Sequence, residues 1–247
     1  MAQSQEQKQP VLEHLAALRK LLFVSVGTIA AAFFLIFTTC IDPLMSLLLD
    51  PITARGIEII YTAMSEALMT KMKVSLIAGI VVSSPVVFWQ LWQFISPALY
   101  PNEKRTISIL FFVMVALFLL GVAFCYGAVY MLAVDFFLVS GENLAVPMLS
   151  IDKYIGFLFG FVVPFGLAFE LPVALYITTR MGLTDHQMLA SKRKFVILAV
   201  AIVAAILTPP DVVSQIMLAI PILLLYEIAL LICRFVKPKS QEESSEA

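Results

Sequence analysis

Apolar residues in this chain gather into six long blocks, and polar residues collect between them. The blocks run near 21–41, 70–95, 106–138, 154–179, 195–207 and 212–233. A helix rises about 1.5 Å per residue, so about 20 apolar residues cross a hydrocarbon core about 30 Å thick. The second and third blocks exceed that length, which predicts tilt or projection beyond the bilayer. FVILAVAIVAAIL at 195–207 is only 13 residues long. At about 20 Å of helix it falls short of the core unless the bilayer thins around it. The pattern predicts an all-α integral membrane protein of six transmembrane helices, the last two short.

The breaks between the blocks predict the rest. TPPD at 208–211 is too brief for anything but a tight hairpin, with Thr208 or Asp211 capping the next helix. Residues 42–69 are too interrupted by proline and acid to span. LMSLLL within them reads as a short interfacial helix, and the segment as a hydrophobic cap with the 139–153 loop as its neighbour. The N-terminal segment 1–20 is polar and mixed in charge until Arg19-Lys20, with no A-x-A-like cleavage site after a short apolar region. The expected division is thus a cytoplasmic segment 1–20, a six-helix domain 21–233 with cap loops 42–69 and 139–153, and a cytoplasmic tail 234–247. No period of 20–50 residues repeats along the chain.

Composition sharpens this picture. Of 247 residues, 61% are hydrophobic and 13% charged, against about 45–50% and about 25% in soluble domains. Net charge is near zero, but its distribution is lopsided. Six spans place Lys8, Arg19, Lys20, Lys104, Arg105, Arg180, Lys192, Arg193, Lys194, Arg234, Lys237 and Lys239 on one side, and Arg55, Lys71, Lys73 and Lys153 on the other. By the positive-inside rule both termini are cytoplasmic.

Several chemistries are missing. There is no GxxxxGK[ST] phosphate loop, and the two histidines, His14 and His186, lie outside the spans. No carboxylates pair within one span. Cys40, Cys125 and Cys233 form no CxxC motif and read as small packing residues. No catalysis, metal, cofactor or nucleic-acid partner is expected.

A few polar residues need explaining. Glu170, inside the fourth block in GLAFELPVAL, costs at least about 2.5 kcal/mol at the membrane centre. It either ties helices together or offers a contact point to another helix or a passing substrate. Pro172 removes a backbone donor beside it and predicts a kink. Gln215 is a possible partner for Glu170, and Glu227 for Arg234. Trp89 and Trp92, spaced i, i+3, read as interfacial belt anchors. Glu103 stands beside Lys104 and Arg105. It can pair with them or cap the third helix, or it can face outward to bind a cation. An exposed single pair is worth only about 0.2–1 kcal/mol, so selective capture would need a bidentate guanidinium, a second carboxylate or a less hydrated setting.

Six stretches carry a family likeness: HLAALRK at 14–20, FWQLWQFISPALYPNEKR at 88–105, GVAFCY at 121–126, AFELPV at 168–173, LTPPDVVSQ at 207–215 and LYEI before the last basic tail. In order and spacing the chain resembles TatC, the multispanning receptor of the twin-arginine protein translocase. The resemblance implies a core subunit that binds signal peptides with two consecutive arginines and exports folded proteins across the bacterial inner membrane on the proton-motive force. It implies that Glu103 reads the arginines, with Leu15 and Leu18 as apolar packing positions, Arg19 as a basic anchor and Phe94 in the same site. It places Glu170, with Gln215 and Thr208 near the same polar patch, against a partner helix, and gives Pro51, Pro85 and Asp211 structural or coupling roles. The implied partners are TatB-like and TatA-like single-span subunits, further copies of this chain and membrane lipid. One position departs. Where the family has an acid within H-L-x-E-L-R, this chain has Ala17, and Glu13, four residues earlier on the same helical face, is the candidate substitute. The alternative reading is a proton-coupled small-solute transporter using Glu170 as its coupling acid.

Overall fold

The computed structural model describes residues 8–99, 104–141, 147–208 and 210–236, and nearly all of them are helical. The elements are α1 (Lys8–Thr39), α2 (Ile41–Thr53), β1 (Glu58–Ile60), α3 (Glu66–Leu99), α4 (Lys104–Phe124), a π-helical turn (Cys125–Tyr130), α5 (Met131–Ser140), β2 (Met148–Ser150), α6 (Ile151–Ala168), α7 (Leu171–Arg180), α8 (His186–Ser191), α9 (Arg193–Leu207) and α10 (Val212–Phe235).

Among the described residues five stretches are long and apolar enough to cross a membrane: Ala16–Thr39, Glu66–Phe94, Ser108–Ser140, Ile151–Arg180 and Val212–Phe235. The fifth expected span is α9, a helix of 15 residues and hence about 22 Å long. Of the final pair expected to be short, α9 is, whereas α10 has 24 residues.

Two compact units divide the chain, one running to Leu49 and resuming at Lys71–Val115, the other comprising Asp50–Thr70 and everything from Ala116. In the first, α3 rides directly on the α1 backbone at Gly79, where an added Cβ would lie 3.1 Å from the Phe33 nitrogen. Only a glycine permits that approach without displacing a neighbour. Lys71 pairs with Asp42 at 2.7 Å in an exposed salt bridge. Pro85 sits inside α3 and cannot donate to the Val81 carbonyl, four residues earlier. The Ser84 hydroxyl donates to that carbonyl instead, at 2.8 Å, which keeps the helix continuous where no water would replace the lost bond.

The second unit is organised around α10, which packs on α5, α6, α7, α8 and α9. Phe161, Phe165, Leu158, Leu218 and Leu230 are fully buried there. Glycines let helices meet closely. A Cβ on Gly121 would lie 2.8 Å from the Phe169 ring, one on Gly166 2.8 Å from the Phe118 ring, and one on Gly160 2.7 Å from the Leu207 carbonyl oxygen. Within the third span a single π-helical turn stacks Tyr126 on Tyr130 at 6.3 Å.

LMSLLL lies in α2, as its apolar run predicts. The two loops expected to be neighbours are joined by a feature the sequence did not suggest, a parallel ladder pairing Glu58, Ile59 and Ile60 with Met148, Leu149 and Ser150.

Candidate functional site

Two sets of residues carry the candidate chemistry, one in each unit. In the first unit, α1 runs unbroken from Lys8, so positions 13 and 17 share one helical face, as do 15, 18 and 19 within a turn. Ala17, Leu18 and Arg19 are exposed, and the Arg19 guanidinium lies 5.4 Å above the Phe23 ring. A flat cation held against an aromatic face keeps its edge donors free to bond. Phe94 is half-buried near the end of α3. The side chains of Glu13 and Leu15, and Glu103 altogether, lie outside the described residues. Helix α4 begins at Lys104.

In the second unit the backbone breaks at Phe169–Glu170, between α6 and α7. Pro172 explains the break: it leaves the Ala168 carbonyl without its helical donor, and the Glu170 amide bonds back to Leu167 at 3.1 Å in a tighter turn. The expected kink is therefore a two-residue turn at Phe169 and Glu170, both still with right-handed helical backbone angles. Both Glu170 carboxyl oxygens are buried, and among the described residues neither has a hydrogen-bond partner. A buried polar group without a partner is costly, so this carboxyl group has bonding capacity to spend on something outside the chain.

Gln215 does not supply it. The Gln215 amide donates to the Ala201 carbonyl at 3.0 Å, bonding α10 to α9 rather than to Glu170. Thr208 is buried, and its hydroxyl donates to Ala204 at 2.8 Å. Asp211 is the cap of α10, accepting from the Ser214 amide at 2.7 Å and hydroxyl at 2.5 Å. Gln215 thus ties α10 to α9, while Thr208 bonds back within α9 and Asp211 caps α10.

Other expectations are corrected. Glu227 pairs with Arg193 at 2.7 Å, not with Arg234, because Arg193 starts the neighbouring helix within reach. Trp92 is 1% exposed, so it is a core residue; only Trp89 keeps the exposure of a belt anchor, with its ring edge-on to Phe111 at 5.1 Å. Cys125 and Cys233 are buried packing residues, but Cys40 is exposed.

Pro51 ends a different arrangement. Its carbonyl accepts from Arg55, and the same guanidinium donates to Asp135 at 2.6 Å, fixing the end of α2 to α5. Nearby, Glu66 collects donors. One carboxylate oxygen accepts from the Thr62 amide at 2.5 Å, its hydroxyl at 2.7 Å and the Ala63 amide at 3.2 Å. The other accepts from the Ser150 hydroxyl and from the Asp152 amide at 3.2 Å. Glu66 therefore holds the ends of both strands, and sequence reasoning missed it. Its one visible signal is an acid at the first position of a long apolar helix.

A family model described as "Sec-independent protein translocase protein (TatC)" matches residues 13–221. The Sec-independent protein translocase protein TatC of Carboxydothermus hydrogenoformans is 39% identical over 236 residues, 95% of this chain and 97% of that one. The TatC of Aquifex aeolicus is 38% identical over 94% of this chain and 98% of its own length. A crystal structure of the twin-arginine translocase receptor TatC superimposes with a TM-score of 0.83 and 38% identity, covering 90% of this chain and 98% of that one.

Proposed function

Since the chain belongs to the TatC family, we propose that it is the core subunit and signal-peptide receptor of a twin-arginine translocase. It is a multi-pass inner-membrane protein whose substrates are folded proteins carrying twin-arginine signal peptides. The observation that supports this reading most is the superposition of nine-tenths of the chain, at 38% identity, on a twin-arginine translocase receptor.

In this reading Glu103 meets the arginine pair, and Leu18, Arg19, Leu15 and Phe94 line the approach. Arginine presents a planar fork that a carboxylate takes bidentately, which a lysine ammonium cannot reproduce. Glu13 stands in for the acid that Ala17 lacks. Glu170 offers its unpartnered carboxyl group to the polar residue of a TatB-like or TatA-like single-span helix, and Pro51, Pro85 and Asp211 take structural or coupling roles. Several copies assemble in the complex, and the proton-motive force drives transport. Six spans, with α9 as the short fifth, leave both termini in the cytoplasm, supported by twelve Lys and Arg on that side against four on the other.

The test is binding of a labelled twin-arginine signal peptide to the purified chain in nanodiscs, beside a twin-lysine peptide and the Glu103→Ala variant. The expected result is binding that favours arginine and falls at least tenfold, about 1.4 kcal/mol, with Glu103→Ala. Ala17→Glu should tighten binding and Glu13→Ala weaken it. Binding indifferent to the arginines and to Glu103 would remove the receptor assignment.

A further inference from the structure

The second unit contains a cavity of about 430 Å³ that neither set of candidate residues uses. Its walls are the end of α2, both β-strands, the last turns of α5 and the first turns of α6. Ile60, Val134, Phe137, Met148 and Phe157 make it predominantly apolar. Two polar side chains in the wall, Thr62 and Ser150, turn their hydroxyls to the Glu66 carboxylate, so they give little to an occupant. Tyr154 also lines the wall, and the cationic group at the site is the ammonium of Lys153, an exposed residue with no ion pair among the described residues. The other cation of this region, Arg55, is engaged by Asp135 at 2.6 Å.

Position narrows the occupant. Val134 and Phe137 lie near the end of the Ser108–Ser140 span, and Lys153 and Phe157 near the start of the Ile151–Arg180 span. The cavity therefore opens where hydrocarbon meets water. Phe136, Phe137, Val139 and Met148 form an exposed apolar collar at that level. A volume of about 430 Å³ holds only about one turn of a helix about 10 Å wide, too little for a partner's spanning helix. A polar solute would leave its hydrogen bonds unmade against these walls. One flexible hydrocarbon chain fits, with a negative group at its upper end.

We propose that this cavity binds one acyl chain of an anionic phospholipid, with the lipid phosphate held by Lys153. The site would tie β1, β2 and the outer ends of two spans to the surrounding leaflet. It is independent of the signal-peptide reading, because it needs only the membrane and this chain.

The full-length protein would be purified in mild detergent and titrated by native mass spectrometry with phosphatidylglycerol and with phosphatidylcholine of identical chains. Wild type should bind the first phosphatidylglycerol about fivefold more tightly than phosphatidylcholine, the effect of one basic residue at a lipid surface, about 1 kcal/mol. Lys153→Gln should abolish that preference while Lys153→Arg keeps it. Met148→Trp, which puts an indole across the mouth, should weaken both lipids with an unchanged melting temperature. Phosphatidylglycerol carrying a photoreactive chain should cross-link to peptides containing Phe137 or Phe157. Equal affinity for the two lipids, a preference that survives Lys153→Gln, or cross-links confined to other segments would each overturn the proposal.

Discussion

Glu170 is a carboxyl group whose two oxygens are shielded from solvent and bonded to nothing among the described residues. An unmet buried polar group costs about 1–3 kcal/mol, and the isolated chain bears that cost. Glu170→Leu should therefore raise the melting temperature of the purified protein, by about 1–3 kcal/mol in stability, while lowering export and leaving signal-peptide binding intact. A variant that melts earlier would make Glu170 an internal tie instead. Glu170 was legible in the sequence because an ionisable residue inside an apolar run has few explanations. Glu66 was not, because its partners Ser150 and Asp152 are 84 and 86 positions away and its own neighbourhood is polar. Glu66→Gln replaces an acceptor of five hydrogen bonds with an amide that turns donors toward donors. It should lower the melting temperature distinctly, whereas Glu58→Gln, at an exposed position in β1, should leave it unchanged. Trp92 shows a different limit: the i, i+3 spacing predicts depth in the membrane but not which way a side chain faces.

At the scale of elements the apolar runs were enough to find every long helix, because length against bilayer thickness is a one-dimensional test. They say little about packing, since the lipid-facing and core-facing sides of a spanning helix are both apolar. The three-residue strands were invisible because each is too short for a period, and their pairing joins segments about 90 positions apart. The π-helical turn likewise left no mark. Helix contacts at glycine can now be tested singly. An added methyl at Gly160 meets the Leu207 carbonyl oxygen at 2.7 Å, whereas one at Gly156, one turn earlier in α6, meets nothing within 4 Å. Gly160→Ala should destabilise by about 1–3 kcal/mol through overpacking. Gly156→Ala should stabilise by about 0.5–1 kcal/mol through reduced chain entropy. Chemical or thermal unfolding in one detergent would separate them, and equal effects would mean that α6 and α9 do not meet as described.

On the scale of the whole molecule the weak point is thickness. Helix α9 has 15 residues, about 22 Å of helix against about 30 Å of hydrocarbon. Both its ends are anchored, by Arg193 to Glu227 at 2.7 Å and by the capped turn before α10, so it cannot slide to follow either surface. Phe195, Leu198, Ile202 and Ile206 are exposed along it, which puts an apolar face against lipid. The other spans, of 24 to 33 residues, are long enough to fit by tilting. In the proposed six-span arrangement α9 has no such freedom, and the bilayer deforms around it at a fraction of a kcal/mol per ångström of mismatch. Stability in nanodiscs should therefore be highest with short-chain lipids and fall steadily as the chains lengthen. The loss should concentrate in protection of α9 amides from hydrogen exchange, with α1 and α4 little affected. If stability and exchange ignore chain length, the exposed face of α9 is covered by another copy or by a partner helix. A cross-link from Ile202 would then identify which.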